Sequence, residues 1–107
     1  MFRFASILAV ALVACTSGAQ STGIAEVSCP TDSTLTYANF GSAFMTGNCL
    51  SCHTSKASPA LTSQGQIKVN ASRILDAAVY TTAMPQDSNM AVAEREMLGE
   101  WLACGAP

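Results

Sequence analysis

The sequence predicts an all-α domain. Three stretches place their apolar residues at helical spacing, no alternating apolar–polar run of useful length occurs, and segments rich in Ser, Thr, Pro and Gln separate them. The chain has 107 residues, half of them apolar and 11% charged, which describes one small globular unit and excludes a multidomain or disordered chain.

In the first stretch Tyr37, Phe40, Gly41, Phe44 and Met45 share one helix face, and Thr36 before them is a suitable N-cap. In the second, Ile74, Leu75, Ala78 and Val79 share a face, with Asn70 or Ser72 opening the helix. The third joins Met97, Leu98, Trp101 and Leu102, with Ser88 as a candidate cap upstream and Gly105 as the stop. Ser55–Gln66 and Thr82–Asn89 read as loops. The folded domain is expected over residues 29–107. A domain so small builds little core by itself and usually needs a covalent staple or a cofactor.

Residues 1–14 are left out of the fold. They read MFRFASILAVALVA, with Arg3 ahead of an apolar run broken only by Ser6. The run is too short to span a bilayer as a stable helix and has the form of a secretory signal peptide. Leu12-Val13-Ala14-Cys15 resembles a bacterial lipobox. That resemblance implies cleavage before Cys15 and lipid on its sulfur and new amino group, each buried CH₂ contributing about 0.8 kcal/mol to a membrane tether. Cleavage after Ala19, at Ser17-Gly18-Ala19, is the alternative. Residues 15–28 are small, polar and unpatterned, and read as a flexible tether.

Five Lys and Arg against seven Asp and Glu are too few and too scattered for a nucleic-acid partner. Lys56, Lys68, Arg73 and Arg95 read as solvated surface charges, and Glu94, Glu96 and Glu100 as the polar side of the last helix. No residues group as a catalytic acid, base or nucleophile set, so an enzyme is not expected.

Cys49-Leu50-Ser51-Cys52-His53 carries the chemistry. A C-x-x-C-H run reads as a c-type haem attachment site. Two residues between the thiols let a tight turn present both sulfurs to the vinyl groups on one haem edge. The following imidazole then reaches the iron, for which neutral His is a strong ligand. His53 is the only His in the chain. A thiol–disulfide pair would need the same two cysteines at a strand-to-helix junction, and here they follow a helix. A zinc site would need a further Cys or His pair, whereas Cys29 and Cys104 are far apart in sequence. Those two cysteines bracket the domain. In an oxidising compartment they can form a disulfide, and two free thiols at the domain's ends are the other reading.

Taken together, residues 37–104 resemble the small single-haem cytochromes c. Besides the attachment motif, Met84-Pro85 resembles the family's distal Met-Pro, Ser58-Pro59-Ala60-Leu61 its Gly-Pro-x-Leu turn, and Leu98-x-x-Trp101 the apolar–aromatic pair of its last helix. The resemblance implies one covalent haem c held by thioethers to Cys49 and Cys52, with His53 as proximal and Met84 as distal iron ligand. The Pro59 carbonyl would accept a hydrogen bond from His53, Leu61 would pack on the haem, and Gly41 would let the first and last helices cross closely near Trp101. Met90 is the rival distal ligand, while Met45 and Met97 read as core packing. His53 stands 31 residues before Met84 and six before Pro59, both short spacings for the family, which implies a compact version with more haem edge open to solvent. The expected role is a one-electron carrier in the bacterial cell envelope. It would be lipid-anchored and face the periplasm, or be secreted there if Cys15 carries no lipid, and it would exchange electrons with envelope redox proteins. A haem sensor with an open sixth site, or a thiol–disulfide oxidoreductase, are the other readings.

Overall fold

The computed structural model describes residues 18–86 and 89–107. The expected signal peptide, Cys15 and the candidate cap Ser88 lie outside the described residues. Among those residues the architecture is helical and forms no strand. A π-helical turn, Tyr37–Gly41, runs into α1, Ser42–Asn48. After a loop come α2, Gln64–Val69, and α3, Ala71–Ile74, which continues as a second π-helical segment, Leu75–Val79. The last helix is α4, Val92–Ala103.

Local chemistry fixes the ends of these elements. Thr36 Oγ1 accepts the Asn39 N–H at 3.0 Å, and Asn39 Oδ1 accepts the Thr36 N–H at 2.7 Å, a reciprocal capping box. Asn70 opens α3. Gly105 closes α4 at a φ of 91°, its N–H bonded to Leu102 O at 3.0 Å and that of Ala106 to Trp101 O at 2.9 Å, a Schellman arrangement. The core gathers Met45, Ile67, Val79, Leu98 and Trp101, all nearly or fully buried. Gly41 lies against Trp101 so closely that a Cβ there would overlap the indole ring. Phe40 meets the same indole edge-on, with ring centroids 5.8 Å apart.

Three features differ from the sequence expectations. The first half of helix α2, Gln64–Gln66, falls inside the expected loop over residues 55–66. Its polar start is held by a second capping box, in which Ser63 Oγ accepts the Gln66 N–H and the Gln66 side chain accepts the Ser63 N–H. Met97, expected in the core, is 43% exposed, because the buried face of α4 is centred on Arg95, Leu98, Gly99 and Leu102.

The third difference is the tether expected over 15–28, part of which belongs to the fold. Ser21 pairs with Thr81 in an isolated antiparallel bridge. The Thr22 N–H donates to Tyr80 O at 3.0 Å, and the Thr82 N–H to Gln20 O at 2.8 Å. Farther along, the Val27 N–H donates to the Tyr80 hydroxyl at 3.1 Å. Backbone groups past Val79 have left the helical ladder and need partners, while Ile24 and Val27 pack apolar surface onto the core.

Candidate functional site

Helix α1 ends by unwinding into the cysteine motif. The N–H groups of Cys49 and Leu50 both donate to Met45 O at 2.9 Å, and those of Cys52 and His53 both donate to Cys49 O, at 3.2 and 2.9 Å. The motif is thus a tight turn on the end of a helix whose other face, Phe44 and Met45, is anchored in the core. Cys49 is half-buried, Cys52 is exposed, and both are free thiols.

The chain then folds back over His53. The Leu61 N–H donates to His53 O at 2.9 Å, and the ring Nδ1 lies 2.8 Å from Pro59 O. A carbonyl oxygen only accepts, so this contact puts the proton on Nδ1 and leaves Nε2 of the neutral ring with its lone pair. Leu61, buried at the end of the same loop, packs beside it in the cleft wall.

His53 lines two adjoining clefts, of about 180 and 410 Å³, which share Cys49, Ser58, Met84 and Pro85. Together they reach the size of small-molecule sites, roughly 300–1,000 Å³. The first is walled by apolar side chains, among them Leu61, Ile74, Ala78 and Met90. Cys52 lines the second. The structure therefore brings Cys49, Cys52, His53, Pro59, Leu61 and Met84 to one place. Met90, the rival ligand, reaches only the first cleft and is itself buried, whereas Met84 borders both. Arg73 also reaches the first cleft although its side chain is exposed.

Burial pushes the Cys49 thiol from 9.0 up to about 11, so it carries its proton at neutral pH. A thiol–disulfide enzyme needs the opposite, a thiolate stabilised by positive surroundings. Among the described residues no three or more His, Cys, Asp or Glu side chains converge as a metal-binding group, Cys49, Cys52 and His53 included. Cys29 and Cys104 are joined in a disulfide, with Cα atoms 4.7 Å apart, and line neither cleft.

A buried cation bonded to the backbone beside the site, although lining neither cleft itself, departs from its reading in the sequence. Arg95, read there as a solvated surface charge, is only 2% exposed. Its Nη1 donates to Ala78 O at 2.7 Å, Met84 O at 2.8 Å and Thr81 O at 3.2 Å, and its Nε donates to Met90 O at 3.3 Å. The available signal was its register. Arg95 stands three residues before Leu98 and seven before Leu102, on the apolar face of α4.

No protein-family model matches the chain, and neither does a curated protein or a solved structure.

Proposed function

We propose that this protein is a one-electron carrier, a single-haem c-type cytochrome tethered to a membrane through lipid on Cys15. The observation that carries the reading is the His53–Pro59 contact at 2.8 Å, which frees one ring nitrogen for a metal beside clefts bordered by Cys49 and Met84. The donor set suits haem c: two free thiols at the attachment spacing, one imidazole of fixed tautomer, one thioether and an apolar wall. When bound, the haem supplies an iron that passes between Fe(III) and Fe(II).

The chain's own residues do the rest. Cys49 and Cys52 hold the group covalently, at the end of a helix anchored in the core. His53 keeps its Nδ1 proton on the Pro59 carbonyl and so holds one orientation through both oxidation states. Leu61, Ile74, Ala78 and Met90 exclude water from one side, which together with a Met ligand raises the potential relative to two nitrogen ligands. Electrons would pass between a bound haem and cell-envelope redox proteins across the open side, where Cys52 is exposed.

The test is expression of the full chain in a host that exports proteins and attaches haem. The purified, solvent-extracted protein should keep a reduced-minus-oxidised haem spectrum and the added mass of one haem. Colourless protein of unmodified mass would overturn the reading. Met84→Ala should retain covalent haem and lose the sulfur-to-iron charge-transfer band of the oxidised form.

A further inference from the structure

We propose that Arg95 is a positioning residue for the distal iron ligand, its buried guanidinium fixing the backbone that presents Met84. The inference rests on the function proposed above and adds a residue to it. Met84 lies outside the helices, past the segment that ends at Val79. Outside a helix or strand, no repeating ladder holds the place of a ligand, and something else must do so.

Two contacts meet at Met84 itself. Its N–H donates to Ala77 O at 2.8 Å, and its carbonyl accepts from Arg95 Nη1 at 2.8 Å. The same Nη1 reaches Ala78 and Thr81, and Nε reaches Met90. One side chain on α4 thus ties together the end of the second π-helical segment, the loop that follows it, and the start of the approach to α4. Besides Met84 itself, the acceptors Ala78, Thr81 and Met90 fall on both sides of it.

These bonds are charge-assisted; those to Ala78 O and Met90 O are buried and those to Thr81 O and Met84 O part-buried, and such bonds strengthen as water is excluded. A planar guanidinium donates in several fixed directions at once, which a single ammonium cannot reproduce. The arrangement also separates the two methionines. Arg95 binds both backbone carbonyls, Met84 O and Met90 O, so it sets the spacing between the side chain that borders both clefts and the one that packs in the core wall.

The test uses Arg95→Gln and Arg95→Lys in the full chain, with and without haem. In the haem-free chain, exchange of the Met84 amide should quicken in Arg95→Gln by about tenfold or more relative to the amide of Leu98 in the core. In the haem-loaded chain, Arg95→Gln should keep covalent haem and His53 ligation, lose most of the sulfur-to-iron band, and bind carbon monoxide when reduced. Arg95→Lys should fall between. A merely structural role would lower the melting temperature of Arg95→Gln while leaving the band and the relative exchange unchanged, and that result would sink the proposal. If Arg95→Gln does not fold, Arg95→Lys decides: a band at or below about half the wild-type intensity supports the proposal, and one at full intensity overturns it. A wild-type chain that takes up no haem overturns the proposed function, and the role of Arg95 falls with it. A wild-type chain that carries haem beside variants with an intact band overturns the role of Arg95 alone.

Discussion

At neutral pH Cys49 keeps its proton, because burial lifts its thiol from 9.0 to about 11. The sign of the resulting pH dependence follows. Below pH 9 both folded and unfolded thiols are protonated, and stability does not change on this account. Between pH 9 and 11 the unfolded chain gives up its proton first, so stability falls as pH rises through that window, in total by on the order of 2 kcal/mol. Urea unfolding of the haem-free chain across this range should show that fall, and Cys49→Ala should lack it. The candidate motif was legible because Cys49, Cys52 and His53 fall within five successive residues, and so short a spacing survives any fold. Arg95 was not, because a charged side chain reads as solvated unless its place on a helix face outweighs its chemistry.

At the scale of elements, the crossing of the first π-helical turn and α4 depends on Gly41. Its missing Cβ is the space that the Trp101 ring fills. Gly41→Ala should destabilise the fold by roughly 1–3 kcal/mol, the usual range for overpacking, measured as a lower denaturation midpoint at unchanged slope. The start of α2 makes a second case. Ser63→Ala removes the acceptor of the Gln66 N–H and should cost about 1 kcal/mol in the same measurement, while leaving any haem spectrum as it was. The first helix was legible because its apolar residues repeat over two turns after the cap Thr36, and the last because Leu98, Trp101 and Leu102 share a face that Gly105 closes. Helix α2 was hidden by its composition. Only Ile67 of its six residues is buried, and Gln64, Gly65 and Gln66 resemble a loop, although Ser63 and Gln66 stand at capping-box spacing.

At the scale of the whole molecule, the Cys29–Cys104 disulfide closes a segment with a sequence separation of 75, which includes every residue of the clefts. In the chain-entropy account, replacing both cysteines with Ser should lower the unfolding free energy by roughly 3–5 kcal/mol, read from denaturant titration under non-reducing conditions. The all-helical class was legible from periodicity. The pairing of residues near 20 with residues near 80 was not, since nothing in Gln20, Ser21 or Thr22 marks them as partners of Thr81 and Thr82. That pairing has a mechanical consequence. A pull on the chain from the side of residue 18 first meets resistance at Gln20–Thr22, whose partners Tyr80 and Thr82 end just short of Met84. Tension on this leading segment is therefore delivered next door to the Met84 thioether, and its earliest casualty is the seam beside that loop rather than the helical interior.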